Sequence, residues 1–233
     1  MNVTEIIVDG RWFLLLLLLA GAFASGFFLA GVYTRYYYGR FGQQLGLFLD
    51  VPCDHYNARM PAIESTIAQR LEDARYYLFV GDSNVERADL PIICGRLPIN
   101  AGISWATIGT FEHHAKRLAD LAKPDFILIC LGGNDALRNR FDNFRERLAK
   151  LVDSLSEWPV ILVPIPQTPT ATNAAKFNAE IARIPVPQAR PLKDAIACDG
   201  LHLAAEGYIA WKKTIVDAAT NCSGLGSARS GRP

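Results

Sequence analysis

The sequence contains no CxxC pair, although it has five cysteines, Cys53, Cys94, Cys130, Cys198 and Cys222. Zinc sites commonly use such closely spaced pairs, and an odd number of cysteines cannot form a complete disulfide framework, so neither is predicted. A dominant charge is also lacking, since 24 Lys+Arg residues stand against 23 Asp+Glu residues. The resulting net charge of +1 gives no broad basic field for nucleic acid and no acidic field for basic partners. The function must therefore be sought in local motifs.

Hydrophobic residues, which make up 50% of the chain, are concentrated near its start. The stretch from Trp12 to Val32 contains no charged residue. At a rise of about 1.5 Å per residue, a helix of this length spans roughly 31 Å, close to the thickness of the bilayer hydrocarbon. Trp12 at one end and the tyrosines that begin at Tyr33 at the other suit the two headgroup layers. The sequence predicts a single transmembrane anchor over residues 12–33.

A cleaved signal peptide is the alternative interpretation of this segment. The leucines 14–19 followed by Ala22-Phe23-Ala24 resemble a hydrophobic core with a small-residue cleavage site. The charged flanks leave the orientation open, because Arg11 and the terminal amine on one side are balanced by Arg35 and Arg40 on the other.

The rest of the chain alternates short apolar runs with helical patterns, which is typical of a parallel sheet covered by helices on both faces. We predict a three-layer, doubly wound α/β domain over residues 72–221, preceded by a flank (1–11), the anchor (12–33) and a connector (34–71), and followed by a flexible tail (222–233). Strands are expected at 76–80, 99–103, 125–131, 160–165 and 185–189. Helices are expected at 62–75, 107–122, 142–158 and 203–219, the first with Pro61 at its start.

Polar residues follow the predicted strands, where sites form in open α/β sheets. Gly81-Asp82-Ser83-Asn84 follows the first strand, and Asn100-Ala101-Gly102 lies in the second. Gly132-Gly133-Asn134-Asp135 follows the third, and Asp199-Gly200-Leu201-His202 precedes the last helix. Any one of these stretches also fits an ordinary capping turn or strand-to-helix loop. Their combination, in order and at strand ends, favours one shared site.

These four blocks resemble those of the SGNH hydrolases, also called the GDSL esterases and lipases, and the resemblance covers residues 76–211. It implies a flavodoxin-like fold and a serine nucleophile at Ser83. It also implies an oxyanion hole made by the backbone N–H groups of Ser83 and Gly102 and the side-chain amide of Asn134. No metal or organic cofactor is implied.

The chemistry of acyl transfer explains these residue types. A serine hydroxyl needs a base to remove its proton during attack, and histidine suits that task near neutral pH. A carboxylate at the other ring nitrogen fixes the tautomer and stabilises the imidazolium. Ser83, His202 and Asp199 are therefore the predicted catalytic triad.

The sequence as a whole predicts a membrane-anchored serine esterase that cleaves short acyl esters, such as the O-acetyl groups of carbohydrates, through an acyl-Ser83 intermediate. Acylated polysaccharide or lipid is the expected substrate class, and the Pro-rich stretch Pro164–Pro169 is expected to border the site. An O-acyltransferase acting on envelope polysaccharide and a non-catalytic anchored glycan-binding module remain alternatives. By analogy with anchored family members, the domain is expected to face outward, a setting that permits a Cys53–Cys222 bridge.

Overall fold

A four-stranded parallel sheet forms the centre of the domain. The computed structural model describes residues 53–221, and the side chains of residues 55–220. The strands are β1 (Arg75–Gly81), β2 (Arg96–Gly102), β3 (Ile127–Cys130) and β4 (Val160–Leu162). They lie in the order β2-β1-β3-β4, and every neighbouring pair is parallel. This is the beginning of the flavodoxin-like strand order, and the chain reverses its direction of travel across the sheet at β1.

Eight helices are described around this sheet. They are α1 (Cys53–Ala68), α2 (Ser83–Glu86), α3 (Ile108–Phe111), α4 (Ala115–Ala122), α5 (Gly133–Leu137), α6 (Phe144–Ser154), α7 (Ala174–Ile181) and α8 (Ala205–Asn221).

Both faces of the sheet are covered, which explains the continuous apolar strand sequences. Leu78 and Val80 of β1 belong to a core that includes residues from α1, α4, α6 and α7. Tyr77 and Phe79 of the same strand belong to a second core, where Trp211 of α8 stacks against Phe79 with ring centroids 5.7 Å apart. The predicted α/β architecture with helices on both faces is confirmed.

The prediction for the first helix was wrong. The helix extends over Cys53–Ala68, not 62–75, and Pro61 lies inside it. An interior proline removes one helical hydrogen bond, but burial of Met60, Ile63 and Ile67 in the main core offsets that cost. Leu71, which lies inside the predicted helix but beyond the end of the observed one, is 69% exposed. Part of the segment predicted to be a connector is thus a helix packed on the sheet.

Other element predictions also needed correction. The helix expected over 107–122 is two helices, α3 and α4, and the turn between them brings the ring of His114 within 2.7 Å of the Tyr56 hydroxyl on α1. The strand expected at 185–189 is reduced to one parallel bridge between Leu162 and Gln188. Helix α7 was not predicted.

Several predictions concern segments outside the described residues. These are the flank 1–11, the anchor 12–33, the first part of the connector, the tail 222–233 and the Cys53–Cys222 bridge. Within residues 53–221, no helix is both long enough and apolar enough to cross a membrane. The three cysteines whose side chains are described, Cys94, Cys130 and Cys198, are unbridged.

Candidate active site

The candidate site lies at the carboxyl ends of three adjacent strands, β2, β1 and β3. Gly81 of β1 pairs with Gly102 of β2 on one side and with Cys130 of β3 on the other, so these strands end side by side. The residues that follow them are therefore neighbours at one edge of the sheet. This edge, beside the strand where the chain reverses direction, is where ligands bind in open α/β folds.

Ser83 begins α2 immediately after the end of β1. The preceding residue, Asp82, caps this helix, and its carboxylate accepts the backbone N–H of Asn84 at 2.9 Å. Burial raises the pKa of Asp82 to about 6, against the lowering effect of that hydrogen bond. The tight strand-to-helix turn leaves the backbone N–H of Ser83, at the first helical position, without an acceptor inside the helix.

Ser83, His202 and Asp199 form a continuous chain of hydrogen-bonding groups. The Nε2 atom of His202 lies 3.0 Å from Oγ of Ser83. The Nδ1 atom of the same ring lies 2.6 Å from Oδ2 of Asp199. With Nδ1 protonated and donating to the carboxylate, Nε2 is free to accept the proton of the serine hydroxyl.

The carboxylate of Asp199 is held by its own loop. Its Oδ1 atom accepts the backbone N–H groups of Leu201 at 3.0 Å and His202 at 2.7 Å. Burial alone would raise the pKa of this carboxyl, but the hydrogen bonds from His202 and Leu201 outweigh burial and hold the pKa well below its usual range. Asp199 is therefore ionised, as a partner of an imidazolium must be.

Two contacts that the sequence motifs did not indicate connect the serine turn to the histidine loop. Oδ1 of Asn84 accepts the backbone N–H of Leu203 at 3.3 Å. The hydroxyl of Tyr208, on α8, donates to the backbone carbonyl of Asn84 at 3.0 Å. Burial raises the pKa of Tyr208 to about 12, so this hydroxyl keeps its proton. These contacts fix Ser83 relative to His202.

The loop that follows β4 lies against the loop that carries Asp199. The backbone N–H of Thr170 donates to the carbonyl of Gly200 at 2.8 Å, and that of Ala195 donates to the carbonyl of Gln167 at 2.9 Å. The Pro-rich stretch Pro164–Pro169 thus supports the aspartate loop.

Gly102 does not present its N–H group to the site. That N–H donates to Oδ1 of Asn100 at 2.9 Å. A glycine is needed here for another reason, because a Cβ atom at this position would lie 2.1 Å from the backbone nitrogen of Glu86. We therefore correct the predicted role of Gly102, which allows α2 to pack closely against the end of β2.

Within the segment 102–106, the backbone N–H of Trp105 is the only one that donates to no atom of the described residues. The other four N–H groups donate, in chain order, to Asn100, Gly81, Glu86 and Ile103. Trp105 also has a φ of +70°, a left-handed conformation that is costly for a residue with a large side chain.

Asn134 lies next to this loop. It is 5% exposed, and its Nδ2 atom donates one hydrogen to the backbone carbonyl of Ala106 at 2.9 Å. The amide has a second hydrogen, which that contact leaves available. The structure thus brings the amide of Asn134 to the residue that follows Trp105.

Comparison with protein-family models and with curated protein sequences finds no match. Solved structures do match. A GDSL-like lipase from Bacteroides thetaiotaomicron has a TM-score of 0.56 at 18% identity, over 71% of this chain and 97% of that chain. A lipase/acylhydrolase from Enterococcus faecalis has a TM-score of 0.54 at 21% identity, over 64% of this chain and 96% of that chain. The chain has the SGNH hydrolase fold.

A third structure with the SGNH hydrolase fold is an acetylxylan esterase from Geobacillus stearothermophilus. Its TM-score is 0.51 at 18% identity, over 64% of this chain and 96% of that chain. At these identities the likeness is one of fold, so the chemistry of this chain must be argued from its own residues. Among the described side chains, no group of three or more His, Cys, Asp or Glu residues is arranged to hold a metal ion.

Proposed function

We propose that this protein is a serine esterase that cleaves short acyl esters through an acyl-Ser83 intermediate. The observation that carries the proposal is the unbroken chain from Oγ of Ser83 through the ring of His202 to the carboxylate of Asp199, with distances of 3.0 and 2.6 Å. The shared fold of known lipases and esterases supports it.

The first half of the reaction forms the acyl-enzyme. Nε2 of His202 takes the hydroxyl proton while Oγ of Ser83 attacks the ester carbonyl carbon. Asp199 stabilises the imidazolium that results. When the tetrahedral intermediate collapses, the bond to the alcohol oxygen breaks, and the departing alcohol takes the proton from His202.

The second half regenerates the enzyme. His202 removes a proton from a water molecule, which attacks the acyl carbon. The second tetrahedral intermediate expels Oγ of Ser83, which regains its proton from His202, and the carboxylic acid leaves.

Negative charge on the carbonyl oxygen needs hydrogen-bond donors in both halves. We assign this role to the backbone N–H groups of Ser83 and Trp105 and to the free hydrogen of the Asn134 amide. Gly102 is not included, because its N–H is occupied by Asn100. Preorganised donors of this kind supply a large part of the rate enhancement, with about 10²- to 10³-fold for one donor.

Hydrolysis of p-nitrophenyl acetate by the full-length chain tests the proposal. Turnover should be lost in Ser83→Ala and His202→Ala, while Ser65→Ala on α1 and His113→Ala in the turn between α3 and α4, which change exposed residues, should keep it. Equal rates in wild type and Ser83→Ala would refute the esterase and favour a binding module. Added sugar acceptors that divert the acetyl group from water would identify an acyltransferase.

The substrate we favour is an O-acetyl group on a carbohydrate. Support comes from the acetylxylan esterase that shares the fold, and from the short segments 103–107 and 131–132, which leave little chain to build a long acyl tunnel. Release of acetate from an acetylated xylo-oligosaccharide, compared with the release of decanoate from its p-nitrophenyl ester, distinguishes the two substrate classes.

We further propose that residues 12–33 anchor the protein in a membrane with the domain facing outward. The charge-free length of this segment supports the anchor. Resistance of the full-length chain to extraction with sodium carbonate tests it. A Ser227→Cys variant that lacks the native cysteines should react with an impermeant thiol reagent in intact cells, and labelling only after lysis would reverse the orientation.

A further inference from the structure

A cluster of charged residues lies behind the loop that carries Trp105. Its centre is Glu86, the last residue of α2, whose side chain is 19% exposed. Oε2 of Glu86 accepts the backbone N–H of Ser104 at 2.5 Å and lies 3.1 Å from Nε2 of His55. Burial alone would raise the pKa of this carboxyl, but the contacts with Ser104 and His55 outweigh burial and lower the pKa. Glu86 is therefore an anionic acceptor for the N–H of Ser104, the residue before Trp105.

Arg59 brings helix α1 into the same cluster. Its guanidinium donates to the backbone carbonyls of Gly102 at 2.8 Å and Asn100 at 3.1 Å, and lies 3.8 Å from Oε1 of Glu86. A guanidinium is planar and carries several fixed donors, so it can hold two carbonyls and a carboxylate at once. We call Arg59 and Glu86 the loop clamp.

Trp105 lies between two restrained peptide groups. On one side the loop clamp holds Ser104 through its N–H, and on the other Asn134 holds the carbonyl of Ala106. The left-handed conformation is disfavoured for a residue with a Cβ atom by roughly 5- to 30-fold in population. Strained conformations of this kind persist where the surroundings restrain them, and they concentrate at functional sites.

We propose that Glu86 and Arg59 are positioning residues that hold Trp105 in its left-handed conformation and so keep its N–H directed at the ester oxyanion. This inference rests on the proposed esterase function. Neither residue contacts the reacting atoms in this account, because both act through the backbone of the loop. Since Arg59 belongs to α1, the helix before the sheet is part of the machinery that maintains the site.

Substitutions in the loop clamp should lower kcat and leave KM nearly unchanged, because the lost interaction is one made in the transition state. We expect Glu86→Ala and Arg59→Met to reduce kcat about 10-fold or more, short of the 10²- to 10³-fold expected for complete loss of one donor. Glu86→Gln, which keeps an acceptor for Ser104, should retain more activity. Glu64→Ala removes a glutamate of α1 that pairs with Arg117 at the surface, and it serves as the matched control.

A double-mutant cycle separates positioning from a general structural role. Glycine adopts positive φ without strain, so Trp105→Gly should reduce dependence on the loop clamp. In that background, Glu86→Ala should lower kcat less than about 3-fold. In a Trp105→Ala background, where the indole is absent but the Cβ strain remains, the loss should be as large as in wild type. Equal losses in all three backgrounds would overturn the proposal.

A second readout does not depend on activity. With selectively labelled tryptophan, the Cα and Cβ chemical shifts of Trp105 report its backbone conformation, and they should leave their left-handed values in Glu86→Ala but not in Glu64→Ala. Unchanged shifts in Glu86→Ala would overturn the clamp even in an active esterase. Absence of Ser83-dependent turnover in the wild type would instead refute the proposed esterase function, and the loop clamp would then have no catalytic role.

Discussion

Nε2 of His202 lies 3.0 Å from Oγ of Ser83, although 119 residues separate them in the sequence. The two meet because Ser83 follows β1 at the centre of the sheet and His202 precedes α8, which packs on one face of that sheet. Two hydrogen bonds of Asn84 on α2 stabilise this arrangement. One is accepted from the N–H of Leu203, next to His202, and the other from the hydroxyl of Tyr208 on α8. The reactive pair thus depends on correct packing of α8.

Asp199→Asn should lower kcat by up to about 10⁴-fold while the protein stays folded. The asparagine amide can donate toward Nδ1 of His202 and so favour the tautomer that cannot accept the Ser83 proton. The side chain of Asp199 is 39% exposed, so the substitution should cost little stability. Steady-state kinetics with p-nitrophenyl acetate measures the effect. Asp194→Asn, an exposed aspartate on the same segment, is the control, and a similar loss in both variants would count against the specific role of Asp199.

Asn134→Ala should lower kcat about 10²- to 10³-fold with little change in KM. Its amide is assigned to the oxyanion, which carries full charge only in the tetrahedral state. The variant also loses the hydrogen bond to the carbonyl of Ala106, so thermal unfolding should be recorded beside the kinetics. An increase in KM at constant kcat would contradict the assignment.

Gly102→Ala should destabilise the domain by about 1–3 kcal/mol. The new methyl group would lie 2.1 Å from the backbone nitrogen of Glu86, and backbone cannot move aside as a flexible side chain can. Gly95→Ala is the matched control, since Gly95 has a φ of +73° but no atom within 4 Å of the added Cβ. Urea denaturation of both variants distinguishes the steric collision from backbone strain. Equal losses of unfolding free energy in the two variants would contradict the collision.

The carboxyl of Asp82 should make the protein less stable as the pH rises. Burial raises its pKa in the folded state to about 6, whereas its ordinary value is 3.8. The folded state therefore favours the protonated form, and its contribution to stability is present at pH 3 and is lost as the pH rises through about 6.

Asp82→Asn keeps an oxygen that can accept the N–H of Asn84, but it does not titrate. Relative to this variant, the wild type should lose about 2 kcal/mol of unfolding free energy between pH 4 and pH 7, since one pKa unit corresponds to about 1.36 kcal/mol. Chemical denaturation at the two pH values measures the difference, and a constant difference would show that Asp82 does not titrate in this range.

The sequence predicted the elements whose signals are local. The run Tyr77–Val80 is apolar because β1 is buried on both faces, and the strand was expected within one residue of its observed ends. Helix α7 was missed because Asn178 turns inward, where its side chain bonds both the N–H and the carbonyl of Ile165 at 2.8 Å. A buried polar residue interrupts the apolar pattern that would reveal a helix. The start of the first helix was predicted wrongly at Pro61, because tertiary packing outweighs the local preference of proline for a helix start.

The sequence predicted the part of the site whose residues lie in recognisable motifs. Ser83, Asp199 and His202 occur in recognisable blocks, and the structure brings them together. Gly102 was assigned as an oxyanion donor because a glycine required for close backbone approach looks the same in sequence as one required for catalysis. Nothing in the sequence marks Trp105, whose left-handed conformation is visible only in three dimensions.

Covalent labelling of the full-length chain with a serine-reactive fluorophosphonate, located by peptide mass spectrometry, shows whether Ser83 is a nucleophile that His202 activates. We expect one adduct, on Ser83, that is absent in Ser83→Ala, forms far more slowly in His202→Ala and is unaffected by His113→Ala. A folded wild type without an adduct on Ser83, or one whose Ser83 reacts at the same rate without His202, would contradict it.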